Sequence, residues 1–186
     1  MKYRLMICNR KTGFIQVMNK EFTCRAMQRG DLACVIRIQA EAYSNEIIER
    51  DEVIVERFAT VPDTSWVIED KRGVCGYLVG YLSHHGYVTP WGETFSHKTN
   101  ADHLYLHDLA ISTSAAGFGL GPRLVKYALE QAQARELRGA ALVSVQGSKG
   151  FWQKLGFIEY LQLTPAQQQY LDSYTGPAFY MTQNFG

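Results

Sequence analysis

"AISTSAAGFGLGPRLVKYALEQA" (Ala110–Ala132) sets glycines at 117, 119 and 121 between an apolar run and a stretch with helical spacing. A strand that feeds a glycine-rich turn at a helix N-terminus can hold an anion. The first helical amides lack intrahelical partners, the helix dipole adds partial positive charge, and absent side chains let a phosphate reach the main chain. Pro122 suits the first helical position, where it has no N–H to lose. The spacing excludes two other phosphate loops, because G-x-G-x-x-G needs a third glycine that is missing here and G-x-x-x-x-G-K-[ST] is absent. The same glycines also fit a plain tight turn, so the segment alone does not say which phosphate.

The flanking sequence supplies a sheet. "HLYLHDLAIS" (103–112) reads as a strand, the helix after the glycines runs from about Pro122 to Leu137, and "AALVSV" (140–145) is a short apolar strand of the kind buried on both faces. Further upstream, "EFTCRAM" (21–27) reads as a strand, and Asp31 is placed to cap a helix with Leu32, Val35, Ile36, Ile38 and Ala42 on one face. A second amphipathic helix is expected over Glu46 to Ala59, and "SWVIED" and "VCGYLVGYLS" form a hairpin around the turn "DKRG". Towards the C-terminus, Ser148 is placed to cap the short helix "KGFWQKL", which Gly156 ends. "FIEYLQL" and "AFYMTQN" read as two last strands. The head, "YRLMICNRKTGFIQVMN", reads as a hairpin within residues 1–21. The pattern is a mixed α/β sheet with a strand-helix-strand crossover.

At 186 residues and 46% hydrophobic composition, one compact domain spanning residues 1–186 is expected. Nineteen basic and eighteen acidic side chains leave a formal charge of +1, which gives no sign of a nucleic-acid or membrane partner. No run approaches a membrane span, no signal-peptide pattern opens the chain, and Cys8, Cys24, Cys34 and Cys75 are far apart, as in a cytoplasmic protein with free thiols. His84, His85, His97 and His103 cluster without metal-site spacing, so no metal is expected.

The run from Leu106 to Phe157 resembles the GNAT superfamily of N-acetyltransferases. "LHDLAIS" is similar to its fourth strand, "AGFGLG" to its pyrophosphate loop of pattern R/Q-x-x-G-x-G/A, and "GSKGFWQKLGF" to its later motif ending in Gly-Phe. The upstream element order also matches, so the resemblance covers about residues 22–183. Within the superfamily, "LYLHDLAI", "AALVSV" and "FWQKLGF" are most similar to arylalkylamine-type enzymes and their bacterial relatives. The resemblance implies a mostly antiparallel central sheet with splayed parallel strands and flanking helices. It implies acetyl-CoA as co-substrate, with its pyrophosphate on Ala116, Gly117, Phe118, Gly119, Leu120 and Gly121 and its pantetheine arm along the main chain of Leu109, Ala110 and Ile111. Ala116 departs from the pattern, which calls for Arg or Gln there. If that contact is direct, its loss removes about 1.5–3 kcal/mol, and Arg123, Lys126 and Lys154 are the cations near enough in sequence to compensate.

Acyl transfer from a thioester to an amine needs a deprotonated amine, a stabilised oxyanion and a departing thiolate. Strand alternation puts His103, Tyr105 and His107 on one face and Asp108 on the other. His107 is the expected proton acceptor, and it and Tyr105 stand where the resemblance implies catalytic residues. The resemblance also implies that the Leu109 N–H serves the oxyanion. Relatives carry a tyrosine before Gly-Phe where this chain has Trp152, whose indole is no acid near neutral pH and is expected to pack on the pantetheine or in the core. Tyr160, Ser148 and Tyr105 are the alternative donors. The long segment 84–103 offers Trp91, Phe95 and Tyr87 as an apolar wall, and Glu41, Tyr43, Glu46 and Glu49 are placed to hold a cationic amine. A small primary amine is the expected acceptor. A peptide N-acetyltransferase and a non-catalytic CoA-binding module are the alternatives.

Overall fold

The computed structural model describes residues 21–43, 49–94 and 96–186. The expected head hairpin, Cys8, Glu46 and Phe95 lie outside them. One seven-stranded sheet runs in the order β1-β2-β3-β4-β5-β7-β6. Its strands are β1 (Thr23–Ala26), β2 (Ser65–Asp70), β3 (Gly73–Ser83), β4 (His103–Ile111), β5 (Gly139–Ser144), β6 (Ile158–Glu159) and β7 (Phe179–Asn184). Every neighbouring pair is antiparallel except β4 with β5, which are parallel because α3 (Leu120–Ala134) carries the chain back between them.

The faces follow from periodicity. α3 buries Leu120, Leu124, Val125, Ala128 and Ala132, a helical stripe, with Leu104, Leu106 and Leu142 of the sheet. The short α4 (Lys149–Lys154) joins that layer through Trp152, which lies edge-on to both Phe151 and Phe157. The opposite face carries α1 (Leu32–Ala42) and α2 (Asp51–Thr60), whose Leu32, Val35, Ile38 and Ile54 pack with Tyr77, Tyr81, Tyr105 and Tyr180. β5 is buried on both faces at Ala140, Ala141 and Leu142, as its unbroken apolar run requires. No helix among the described residues is long and apolar enough to cross a membrane.

Several boundaries moved. Asp31 sits in a short 3-10 turn before α1, where its carboxylate accepts the Gln28 N–H and pairs with Arg25, so it fixes the turn and not the helix. α2 begins at Asp51, well after Glu46. α3 begins at Leu120, which makes Pro122 its third residue, still among the amides that have no helical partner. Ser148 makes no capping bond and donates to the Val145 carbonyl instead. The strand expected over 157–163 pairs only at Ile158 and Glu159, and a fifth helix follows, α5 (Pro165–Leu171). Its signal is in the sequence: Thr164 accepts the Gln167 N–H as an N-cap and Pro165 takes the first helical position.

Candidate active site

β4 and β5 pair only at His103 with Gly139, Leu104 with Ala140 and Tyr105 with Ala141. Beyond that vertex β4 continues to Ile111 and β5 to Ser144 without a shared bond. On its other side β4 stays paired with β3 to the Gly76–Ile111 partners. The main chain of Leu109, Ala110 and Ile111 therefore offers its β5 side to a ligand in extended conformation.

The open end of the split meets the glycine segment. Ser112 leaves β4, residues 113–115 form a 3-10 turn, and Gly117 and Gly119 take φ of +81° and +71° before α3 begins. A side chain is disfavoured at such angles, and a Cβ at either glycine would meet nothing within 4 Å, so the loop presents bare backbone to open space. Gly121 differs. It lies in the first turn of α3 at ordinary φ, and a Cβ there would meet the Phe151 ring at 3.6 Å. Phe118 stays exposed and tilts on Phe22. Of the three cations expected to stand in for the arginine missing at Ala116, Arg123 donates to the Phe22 carbonyl, Lys126 is 80% exposed and lies 3.9 Å from Glu130, and Lys154 is exposed.

At the vertex the register of β4 breaks. Val79 pairs with Asp108 and Gly80 with Leu106, so His107 is an extra residue, a β-bulge. The bulge resets the alternation. Asp108 lies on the same face as Tyr105, contrary to the simple alternation, and its carboxylate accepts hydrogen bonds from the hydroxyls of Tyr43 and Tyr77, the latter at 2.7 Å. Burial raises its pKa against the lowering pull of those hydroxyls and of Arg57. Gly80 opposite the bulge is required by close approach, since a Cβ there would stand 2.6 Å from the Tyr105 carbonyl oxygen.

His107 enters the cleft beside Arg57, whose guanidinium lies 3.0 Å from Nε2. A guanidinium only donates, so Nε2 accepts and the ring proton sits on Nδ1. Burial, and then the Arg57 charge, push the imidazole down to about 3, which makes His107 a neutral ring whose lone pair is already engaged. That environment does not suit the expected proton acceptor. Arg57 also pairs with Glu49, whose own N–H donates to the buried Gln39 Oε1. Burial raises the Glu49 pKa, with Arg57 opposing.

Tyr43, Glu49, Tyr105, His107 and Asp108 line one cleft together with Val143, Gln146, Trp91 and Tyr174. Trp91 and Tyr174 meet edge-on at 5.6 Å, and three hydrogen bonds tie segment 88–91 to 167–174: Val88 N–H to Gln167, Trp91 N–H to Ser173, and Tyr174 hydroxyl to the Thr89 carbonyl. Other expected site residues lie elsewhere. Glu41 accepts from Ser112 and the Thr113 N–H and so holds the turn that starts the glycine segment. Tyr87 lies under Lys98, His103 is buried against Asp102, and Tyr160 packs on His85 and Tyr180. Trp152 is in the core. Ser148 bonds Val145 and Ser144. Among the described residues no group of three or more His, Cys, Asp or Glu is placed to hold a metal ion. Arg57, Tyr77 and Tyr174 escaped sequence reasoning because they come from α2, β3 and the segment after α5 and meet only through the fold.

Fold and site define a class of α/β protein whose central sheet splits between two parallel strands beside a glycine-rich helix start. The sequence model of the acetyltransferase (GNAT) family matches residues 32–157. The chain belongs to that family, which implies an acyltransferase. No curated protein matches the sequence. Solved structures resemble it at low identity. A GNAT-like decarboxylase, GphF, in complex with isobutyryl-CoA has a TM-score of 0.70 at 13% identity, covering 87% of this chain and 98% of that one. The ribosomal-protein-S18-alanine N-acetyltransferase of Escherichia coli gives 0.63 at 12%, covering 88% and 94%. A GNAT family acetyltransferase of Brucella melitensis in complex with acetyl-CoA gives 0.58 at 17%, covering 90% of each. At these identities the likeness concerns the fold alone.

Proposed function

We propose that this protein is a cytoplasmic N-acetyltransferase that moves the acetyl group of acetyl-CoA to a small primary amine, of the broad kind that arylalkylamine-type enzymes use. The observation that carries the reading is the order of three features along β4 and the loop that follows it. They are bare backbone at Gly117 and Gly119, the edge of Leu109–Ile111 left unpaired by β5, and a bulge flanked by two carboxylates of raised pKa, Glu49 and Asp108. The first two parts fit a pyrophosphate and a pantetheine amide chain, and the third fits an ammonium group. The bridge between segments 88–91 and 167–174 favours a small acceptor over a peptide, because it closes one wall of the cleft that a chain would have to cross.

In this reading the chain's residues divide the work. The Leu109 N–H, next to the bulge and within reach of the Asp108 carboxylate in the free protein, turns to polarise the thioester carbonyl when acetyl-CoA is bound. Glu49 takes the amine proton, directly or through water, because it is the cleft carboxylate least committed to tyrosine hydroxyls and burial has made it a stronger base. Arg57 holds Glu49 in place and His107, neutral, steadies Arg57. The amine nitrogen forms its bond to the acetyl carbon, the carbon–sulfur bond breaks, and the thiolate leaves as an anion. Its basicity is near that of free cysteine, about 8.5, so water suffices to protonate it. An acid at position 152 is therefore not needed.

The test is a panel of primary amines incubated with acetyl-CoA while free thiol is followed, for wild type and Glu49→Gln. Wild type should release thiol with small amines, and the variant should lose about 10²-fold or more in kcat, with acetyl-CoA affinity retained. Turnover with peptides alone, or full activity of Glu49→Gln, would defeat the assignment.

A further inference from the structure

The glycine segment takes its position from its two ends, because glycine backbone has little conformational preference of its own. Its far end is α3, anchored by the buried Leu120 and Leu124. Its near end is the 3-10 turn at Thr113–Ala115, and Ser112, at the N-cap position of that turn, makes no side-chain capping bond. The cap comes from α1 instead. Glu41 Oε2 accepts the Ser112 hydroxyl at 2.7 Å and the Thr113 N–H at 3.1 Å, while Oε1 accepts from Arg37 at 2.7 Å. Ser112 is 2% exposed and its N–H donates to the Cys75 carbonyl, so the carboxylate grips the chain at the point where β4 leaves the sheet. The Ser112 hydroxyl, against burial and with the Thr113 N–H and Arg37 behind it, holds the Glu41 carboxyl below its usual range. The same helix carries Gln39 and ends at Tyr43, both of which line the cleft.

We infer that Glu41 is a positioning residue for acetyl-CoA, an oxygen acceptor lent by α1 that fixes the turn before Gly117 so that the loop is set for the pyrophosphate before the ligand arrives. This rests on the proposed function, in which the pyrophosphate lies on residues 117–121. A carboxylate repels a pyrophosphate, so Glu41 does not serve as a ligand contact. Its oxygens are spent on the turn and on Arg37, whose charge offsets its own. The Arg37 pair is half-exposed and contributes little by itself. What the turn needs from Glu41 is therefore the oxygen and not the charge. Without it, the segment between Ser112 and α3 must be ordered each time the ligand binds, which weakens the hold on the pyrophosphate and leaves the acceptor cleft and the chemistry as they were.

The experiment titrates acetyl-CoA calorimetrically into wild type, Glu41→Gln, Glu41→Ala and Ser112→Ala. Beside it, kcat/KM is measured for acetyl-CoA and for S-acetylpantetheine, which lacks the pyrophosphate, with one amine that the wild type acetylates. Glu41→Ala should lose about tenfold in acetyl-CoA affinity, with the KM for the amine unchanged and S-acetylpantetheine used as by wild type. Glu41→Gln keeps an oxygen acceptor and removes a negative charge, so it should bind acetyl-CoA as tightly as wild type or tighter. Ser112→Ala deletes one of the bonds to Glu41 and should lose a smaller factor in the same sense; it stands in for Glu41→Ala should that variant not fold. Three results would overturn the inference and leave the acetyltransferase reading standing: unchanged affinity in Glu41→Ala, or in Ser112→Ala standing in for it; a loss shared equally by S-acetylpantetheine; or no recovery in Glu41→Gln. Acetyl-CoA binding without turnover of any amine would overturn the reading of function alone, because the titrations need no acceptor. No binding of acetyl-CoA by wild type would overturn both.

Discussion

Gly119→Ala separates a ligand-holding glycine from a merely conformational one. In the free protein a Cβ at 119 meets no atom within 4 Å, so the substitution creates no clash. Its only cost is the left-handed backbone at φ +71°, about 1 kcal/mol for a residue other than glycine. For a chain of 186 residues that is a fall of about 2–4 °C in melting temperature. If the loop amides cradle a pyrophosphate, the methyl enters the space that the phosphate oxygens use, and acetyl-CoA affinity should drop about tenfold or more, equivalent to 1.4 kcal/mol beyond the folding cost. Gly121→Ala is the internal control for stability. It has ordinary helical geometry, a methyl there touches Phe151 at a normal 3.6 Å, and alanine is the better helix former by about 0.5–1 kcal/mol. Its stability should hold or rise. Calorimetric titration of acetyl-CoA into the three proteins, beside thermal melts, gives both quantities. A Gly119→Ala protein that melts lower but binds acetyl-CoA as tightly as wild type would refute the cradle and leave the glycines as a turn.

Three further outcomes follow from the same geometry. Ala116→Arg should strengthen acetyl-CoA binding by up to about tenfold at low salt, because Arg123 is engaged by the Phe22 carbonyl and Lys126 lies beside Glu130, and the gain should fade as salt screens it; no gain in titration would mean that backbone amides already satisfy the phosphates. His107 is near 3 when folded and near 6.5 when unfolded, so between those values the unfolded chain binds the extra proton and stability falls on acidification by up to about 1.4 kcal/mol per pH unit. The raised carboxyls of Glu49 and Asp108 act in the opposite sense, and denaturant melts of His107→Gln against wild type from pH 7 down to pH 4 isolate the histidine: an unchanged slope would place its pKa near the ordinary value. Gly80→Ala should cost about 1–3 kcal/mol in such melts, since its methyl would lie 2.6 Å from the Tyr105 carbonyl oxygen and must push β4 away at the bulge; a neutral result would mean that the strands give way freely.

What the sequence made legible was whatever depends on neighbours along the chain. The glycine loop, α3 and the strands either side of it are local patterns, and the stripe Leu120, Leu124, Val125, Ala128 shows directly on a helical period. The bulge at His107 was not legible. Period-two alternation is the only rule a single strand offers, and the extra residue shows only in the register with β3, so Asp108 was assigned to the wrong face. The acceptor end was read in part for the same reason: Tyr43, Glu49 and Trp91 were found among several candidates, whereas Arg57 and Tyr174 come from distant elements and nothing in their own sequence neighbourhood marks them. Glu41 illustrates the converse, an acidic residue near the right helix end whose carboxylate is used up on Ser112 and Thr113.

The central claim is that the split between β4 and β5 is where acetyl-CoA lies. A crystal structure of the protein soaked with acetyl-CoA tests it most directly. The pyrophosphate should lie on the amides of residues 117–121, the pantetheine should be hydrogen-bonded along the free edge of Leu109–Ile111, and the acetyl carbon should stand beside the bulge at His107 within reach of Glu49. Acetyl-CoA bound anywhere else on the surface, or a split that stays without ligand when titration shows binding, would contradict it.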